Sequence, residues 1–215
     1  MGRYDLMVDK IVGLKMREVH ECPAAAILTE ASAAVPAGAL VYVIDDDESI
    51  RRSLARLFRS ARLPVETLPT ARAYLDREPH AGPTCLVLDV RMPGLGGLEL
   101  QEALAGREEQ IVFITGHGDV PMSVDAMKKG AVDFLQKPVN DEALLEAIHR
   151  AVERHAAAQL HRQEVERIQA RAQRLTPRER EVLEYVIGGC LNKQIAAALQ
   201  IAEATVKQHR GIVMH

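Results

Sequence analysis

The sequence predicts an α/β fold, a small open parallel sheet, followed by a segment that is helical throughout. Five short apolar runs recur between Leu40 and Leu135, and stretches with helical spacing separate them. Strand–helix alternation requires crossover connections, which place helices on both faces of a parallel sheet. Beyond Val139 the strand-like runs stop and only helical periodicity continues.

The predicted elements follow in a regular order. The strands are Leu40–Ile44, Val65–Leu68, Cys85–Leu88, Ile111–Ile114 and Asp133–Leu135. Apolar stripes predict helices between them, with members Ile50, Leu54, Leu57 and Phe58, then Leu98, Leu100 and Leu104, then Val124, Met127 and Ala131. Ligand sites in open parallel sheets lie at the carboxyl ends of the strands, so functional residues are expected there.

Composition excludes several classes of protein. Apolar residues make up 47% and aromatic residues 3%, which predicts an aliphatic core and argues against global disorder. A net charge of -3 argues against a general polyanion binder. Cys22, Cys85 and Cys190 are widely spaced, which favours neither a disulfide framework nor a zinc site and indicates a reducing compartment. Because no secretory pattern or apolar run of ~20 residues occurs, we expect a cytoplasmic protein without a membrane partner.

The C-terminal part of the chain shows clear helix boundaries. The stretch Val139–Thr176 lacks Gly and Pro and predicts that the fifth helix continues as a charged linker helix. Thr176, Pro177 and Glu179 have the spacing of an N-cap, a first-turn proline and a capping-box acid.

Two short helices are then expected beyond the helix that ends at Gly188-Gly189. Asn192 is expected to cap the first of them, and a turn at residues 200–202 leads to the second, Thr205–Met214. Two short helices joined by such a turn are typical of a helix-turn-helix. The predicted organisation is therefore a poorly ordered extension (1–39), an α/β core (40–140), a helical linker (141–174) and a helix-turn-helix domain (175–215), incomplete at its C-terminus.

Polar residues follow four of the five predicted strands. The first strand leads into Asp45-Asp46-Asp47-Glu48, the third into Asp89, the fourth into Thr115 and the fifth into Lys137. Parallel strands end at the same edge of a sheet, so this edge gathers carboxylates, a hydroxyl and an ammonium. Carboxylates packed together repel, and Mg²⁺ relieves that repulsion while also binding phosphate oxygens; Mn²⁺ or Ca²⁺ can substitute.

This set of groups fits phosphorylation of the protein itself. A carboxylate can act as nucleophile and form an acyl phosphate, and the transfer needs mainly alignment and charge neutralisation. Each residue also has a simpler interpretation: Asp45, Asp46 and Asp47 as helix caps, Asp89 and Thr115 as turn residues, and Lys137 as a solvated lysine. Their joint occurrence at four strand ends favours the site. The sequence has no GxGxxG motif after the first strand and no GxxxxGK[ST] motif, so it does not indicate another type of phosphate-binding loop.

Residues 40–152 resemble the receiver domain of two-component response regulators. The matching strings are VYVIDDDES, VLDVRMPGLGGLEL and VFITGHGDVPMSVDAMKKGAVDFLQKP. The resemblance implies a flavodoxin-like (βα)₅ fold with strand order 2-1-3-4-5. The residues that match the family's functional positions are Asp89 as phosphoacceptor, Asp45, Asp46 and the backbone carbonyl of Arg91 as further Mg²⁺ ligands, and Thr115, Lys137 and Phe134 for phosphate binding and switching.

Residues 175–215 resemble the LuxR-type helix-turn-helix through LTPREREVLEYVIGG, NKQIAAAL and ATVKQHRGIVM. Together the two modules resemble the NarL/FixJ group. The resemblance implies contacts with promoter DNA, for which we expect Thr205, Lys207, Gln208 and Arg210, and it places Ala202 where the family often has a serine cap. Val206, Ile212 and Val213 are expected in the core.

The implied function is a transcriptional regulator that accepts phosphate from a sensor histidine kinase on Asp89, dimerises and binds DNA. Such a protein is not an enzyme towards other molecules; it gains and loses phosphate on its own aspartate. One alternative is a receiver that acts through protein contacts alone, with a truncated, non-functional DNA-binding tail. Another is a magnesium-dependent phosphatase, which is disfavoured because position 91 is Arg rather than an acid.

Overall fold

The computed structural model describes residues 35–116 and 120–214 of the chain. Most of the predicted extension, residues 1–34, lies outside the described residues, as do His117 and Gly118 of the fourth strand-end loop. Contacts divide the chain into two compact units, with a boundary between Leu160 and His161. No helix in the described ranges is both long enough and apolar enough to cross a bilayer.

The first unit is a five-stranded parallel sheet with helices on both faces. The strand order is β2-β1-β3-β4-β5, which confirms the predicted flavodoxin-like topology. The strands are β1 (Leu40–Ile44), β2 (Val65–Leu68), β3 (Thr84–Asp89), β4 (Gln110–Thr115) and β5 (Asp133–Gln136). The helices are α1 (Glu48–Ser60), α2 (Ala71–Leu75), α3 (Gly97–Ala103), α4 (Val120–Lys128) and the part of α5 (Asp141–Gln173) up to Leu160.

Both faces of the sheet are buried, because successive residues of a strand point to opposite faces and helices cover each one. On one face, Val43 and Val87 pack with Phe58 of α1 and Ile148 of α5. The other face packs α3 and α4 against the sheet through Leu100 and Ala126, with Tyr42, Leu86 and Phe113 from the strands. The strands β1, β3 and β4 are therefore mostly apolar and buried, with polar residues at their carboxyl ends, whereas β2 and β5 at the two edges of the sheet are only partly buried.

Helix α4 differs from its predicted packing. Val124 and Met127, expected in its apolar stripe, are each 44% exposed, whereas Ala126 is fully buried against the sheet. Val120 is also exposed. The small side chain of Ala126 lets the helix backbone approach the sheet, so the large apolar residues of α4 lie on its outer surface.

The second unit contains three short helices: α6 (Pro177–Ile187), α7 (Asn192–Leu199) and α8 (Glu203–Met214). Val182, Ile195 and Val206 form its core, one residue from each helix. The start of α6 is confirmed as a capping box: the Thr176 hydroxyl accepts from the Glu179 N–H, and the Glu179 carboxylate accepts from the Thr176 N–H at 2.8 Å.

Three predictions about this unit were wrong in detail. Asn192 is the first residue of α7 rather than its cap; Leu191 holds the cap position, and its N–H donates to the Gln194 side chain at 2.8 Å. Helix α8 begins at Glu203, two residues before Thr205. Ile212 is 49% exposed rather than buried, because the core contact of α8 is made by Val206 on another side of the helix.

Candidate functional site

The loop between β1 and α1 carries a fully buried carboxylate. The Asp45 side chain accepts a hydrogen bond from the Asp47 N–H at 2.8 Å, and its other oxygen accepts from Lys137. Asp47 is the N-cap of α1 and accepts from the Ser49 N–H at 2.7 Å. Of the three aspartates that could have capped the helix, Asp47 is the cap. The Asp45 carboxylate instead contacts Lys137.

Lys137 brings the ends of β1, β3 and β5 together. Its Nζ donates to Asp45 at 2.8 Å and to Asp89 at 2.9 Å. Burial by itself disfavours the ammonium form, but the hydrogen bonds and negative charges of the two carboxylates outweigh burial, so the pKa of Lys137 lies above its ordinary value. The side chain is thus favoured as the ammonium between two acids. Its backbone N–H donates to the Thr115 carbonyl at 2.7 Å, and the Lys137–Pro138 peptide bond is cis.

Three carboxylates converge on one point. Oxygen atoms of Asp45, Asp46 and Asp89 lie within 4.8 Å of one another, and within the described ranges this is the set of side chains with the spacing of a metal site. All three donors are hard oxygens, which suits a small hard cation such as Mg²⁺. Lys137 offsets part of their negative charge but leaves an excess, so the residues present fit a divalent cation.

Asp89 lies at the end of β3, where the following loop folds closely around it. Its carboxylate accepts a hydrogen bond from the Arg91 N–H at 3.3 Å. Farther along, the Gly97 N–H donates to the Val90 carbonyl at 3.0 Å. A Cβ at Gly97 would lie 2.4 Å from the Asp89 carbonyl oxygen, so only glycine permits this approach of α3 to the strand end.

Thr115 and Phe134 lie on the two remaining strands, β4 and β5. Thr115 is buried at the end of β4, in register with Gln136 of β5. Phe134 is half-buried and packs against Phe113 with ring centroids 5.9 Å apart. Thr115 therefore lies at the edge of the sheet that carries the carboxylate cluster, whereas Phe134 lies two residues further back, beside Phe113.

The four residues expected to contact DNA lie on α8. Lys207 and Gln208 are exposed, and Thr205 is half-buried. Arg210 is also half-buried, and its guanidinium donates to the Asn192 side chain at 3.1 Å. Arg210 thus ties α8 to the start of α7, a contact that the sequence did not indicate.

Comparison with known proteins accounts for both units. Residues 41–149 match the family model described as response regulator receiver domain, and residues 173–215 match the model described as bacterial regulatory proteins, luxR family. The chain belongs to the response regulators with a LuxR-type domain. Such a pair of domains makes it a transcriptional regulator of a two-component system, and the alternative of a receiver acting through protein contacts alone is not favoured.

Several relatives share both parts of this response regulator. Nodulation protein W of Bradyrhizobium diazoefficiens is 48% identical over 178 residues, which cover 82% of this chain and 78% of that protein. Transcriptional regulatory protein FixJ of Rhizobium meliloti is 44% identical over 176 residues, covering 81% and 86%.

Two solved structures are similar along most of the chain. Response regulator StyR aligns with a TM-score of 0.75 at 46% identity and covers 83% of this chain and 91% of that one. Full-length FixJ from B. japonicum aligns with a TM-score of 0.52 at 43% identity, covering 81% and 87%.

One residue near the acidic cluster of this response regulator escaped prediction. The guanidinium of Arg51, in the first turns of α1, donates to the backbone carbonyls of Asp45 and Asp46 at 2.7 and 2.9 Å. The sequence offers one signal in retrospect: an arginine four residues after the N-cap can reach back to the loop that precedes the helix.

Proposed function

We propose that phosphorylation of Asp89 switches this response regulator, and that the phosphorylated form dimerises and binds promoter DNA. The observation that carries the proposal is the ammonium of Lys137, which bridges the buried Asp45 and the strand-end Asp89. A cation fixed between a carboxylate nucleophile and a metal-binding carboxylate is suited to receive the charge of an incoming phosphoryl group.

The proposed donor is a phosphohistidine of a sensor histidine kinase. An Asp89 carboxylate oxygen attacks the phosphorus atom, the P–N bond breaks, and its electron pair stays on the imidazole, which takes up a proton. The product is an acyl phosphate on Asp89. The Lys137 ammonium, which already bridges Asp45 and Asp89, can pair with a phosphoryl oxygen.

The carboxylates of Asp45, Asp46 and Asp89, with the backbone carbonyl of Arg91, would hold Mg²⁺, for which Mn²⁺ or Ca²⁺ can substitute. When bound, the cation supplies neutralisation of the phosphoryl and carboxylate oxygens. The protein's own contribution is to hold these oxygens within one small volume before the donor arrives.

We propose that Thr115 and Phe134 transmit the change. The Thr115 hydroxyl and the Lys137 ammonium move towards the phosphoryl oxygens, and Phe134 turns inward from its position against Phe113. This is a population shift between two packed states, biased by the new charge. The exposed Val120, Val124 and Met127 on α4 support a role of this surface in dimerisation, because a dimer would cover them.

The proposed DNA-reading element is α8, with Thr205, Lys207, Gln208 and Arg210. A dimer would place two such helices in successive major grooves of a promoter. Residues 175–215 then act as the DNA-binding domain, 40–140 as the receiver and 141–174 as the helical linker. Because promoter DNA is the target, the protein acts in the cytoplasm.

Labelling with acetyl phosphate tests the proposed acceptor. The chain should incorporate phosphate when Mg²⁺ is present, and Asp89→Asn should remove that incorporation. Asp76→Asn is the matched control, because Asp76 is an exposed aspartate that pairs with Arg72 on the surface. Incorporation that persists in Asp89→Asn would overturn the assignment of the acceptor.

A further inference from the structure

The guanidinium of Arg51 contacts the two residues that open the acidic cluster through their backbone. A single nitrogen, Nη1, donates to the Asp45 carbonyl at 2.7 Å and to the Asp46 carbonyl at 2.9 Å. We infer that Arg51 is a positioning residue of the metal site, which orients the Asp46 carboxylate towards the bound cation. The inference rests on the proposed function, because it assigns a task within the proposed Mg²⁺ site.

The two contacts act on the backbone on both sides of one Cα atom. The Asp45 carbonyl belongs to the peptide plane before Asp46, and the Asp46 carbonyl belongs to the plane after it. Fixing both planes fixes φ and ψ of Asp46, which are the two soft backbone torsions of a residue. These torsions set the direction of the Cα–Cβ bond of Asp46. Arg51 therefore determines the direction in which this side chain leaves the backbone.

Asp46 needs such support more than Asp45 does. The Asp45 carboxylate is buried and held directly by Lys137 and by the Asp47 N–H. The Asp46 side chain is exposed, and over residues 35–116 and 120–214 its carboxylate makes neither a hydrogen bond nor an ion pair. Its position within 4.8 Å of the other two carboxylates therefore depends on the backbone that Arg51 holds.

Arg51 is itself held by a well-anchored helix. Its N–H donates to the Asp47 carbonyl at 3.1 Å, and the Asp47 side chain caps the same helix. The neighbouring Arg52 points elsewhere and pairs with Glu48 on the surface. The two arginines carry the same charge and are adjacent in the chain. Of the two, Arg51 contacts the backbone of Asp45 and Asp46, which makes Arg52 a matched control.

Two effects of Arg51 on cation binding have opposite signs. Its positive charge repels a divalent cation, whereas its hydrogen bonds preorganise a ligand. Residues that orient metal ligands typically change affinity by about 10- to 100-fold, and the charge of the half-buried Arg51 guanidinium is already directed at two carbonyl oxygens. Loss of Arg51 is therefore expected to weaken Mg²⁺ binding, although it removes a repulsive charge.

The test is calorimetric titration of the unphosphorylated full chain with Mg²⁺, which measures binding independently of any activity. Arg51→Ala should raise the Kd roughly 10-fold, Arg51→Lys should fall between it and the wild type, and Arg52→Ala should leave the Kd within about twofold or lower it. Equal Kd values for wild type and Arg51→Ala, or equal weakening in both Ala variants, would overturn the inference.

A double-mutant cycle distinguishes positioning from general support of the fold. If Arg51 acts through Asp46, then Arg51→Ala adds little weakening in an Asp46→Asn background; additive effects would refute this route. If Arg51→Ala does not fold, the Kd of the Arg51→Lys variant is compared with that of the wild type instead. A wild-type chain without measurable Mg²⁺ binding would overturn the proposed metal site itself, which is a different result from an Arg51 variant that binds like wild type.

Discussion

The ammonium of Lys137 lies 2.9 Å from the carboxylate of Asp89, so the protein itself supplies the proposed acceptor with a counter-ion. The same ammonium also pairs with Asp45, whose side chain has no solvent exposure. The protein thus balances part of the negative charge of these carboxylates.

Lys137→Ala is expected to destabilise the metal-free protein. Removal of the partner leaves the Asp45 carboxylate buried and uncompensated, and breaking a buried ion pair in this way typically costs about 3–5 kcal/mol. Urea denaturation at neutral pH without divalent cations measures the free energy of unfolding. Added Mg²⁺ should restore part of the loss, because a ligand that binds only the folded state stabilises it. Lys128→Ala, at an exposed lysine of α4, is the control, and an equally small effect in both variants would contradict the prediction.

Gly97→Ala is expected to impair both stability and phosphate acceptance. The new methyl group would lie 2.4 Å from the Asp89 carbonyl oxygen and 3.2 Å from the Phe113 ring. Either the end of β3 or the start of α3 must therefore shift. Such overpacking typically costs about 1–3 kcal/mol. Thermal denaturation and acetyl phosphate labelling measure the two effects. Gly116→Ala at the next strand end is the matched control, because a Cβ there meets no atom of residues 35–116 and 120–214 within 4 Å.

Thr176→Ala is expected to destabilise the helix-turn-helix unit by about 1 kcal/mol, the usual worth of an N-cap. Hydrogen bonds from the backbone and hydroxyl of Thr176 hold the pKa of Glu179 below its ordinary value. A carboxylate with a lowered pKa stabilises the fold above its unfolded pKa, and this contribution is lost as pH falls through the folded pKa. The difference between wild type and variant should therefore shrink in acid. Urea denaturation at neutral and acidic pH measures it, and a difference that grows in acid would count against this account.

Lys207→Ala is expected to weaken DNA binding by a similar factor on specific and nonspecific sequences. A lysine that contacts phosphate contributes counterion release, so the slope of log affinity against log salt should decrease by about one. Fluorescence anisotropy at several salt concentrations measures this slope. Arg56→Ala serves as control, since Arg56 is an exposed cation on α1 of the receiver. An unchanged slope would remove Lys207 from the phosphate contacts.

The sequence predicted the centre of the sheet well because β1, β3 and β4 are buried on both faces. Such strands appear as apolar runs, and the ends of β3 differ from the predicted Cys85–Leu88 by one residue each. The acidic site was predictable for the same reason: once the strands are parallel, Asp45, Asp89 and Lys137 must meet at one edge.

The remaining errors have a common physical origin, the direction in which a side chain points. Hydrophobicity favoured Val124 and Met127 as the buried residues of α4, but close packing against the sheet selected the smaller Ala126. Arg51 is one of several arginines in α1, and only its distance to two carbonyl oxygens separates it from Arg52. Sequence spacing assigns residues to an element, whereas such contacts depend on how the element is docked.

Asp45 and Lys137 touch across a separation of 92 residues in the chain. Under the proposed function, Asp89 therefore lacks its counter-ion until β5 has joined the sheet. A fragment that ends before β5 contains no Lys137, and we expect it not to accept phosphate. The order of the strands thus ties the proposed phosphorylation to a completed receiver.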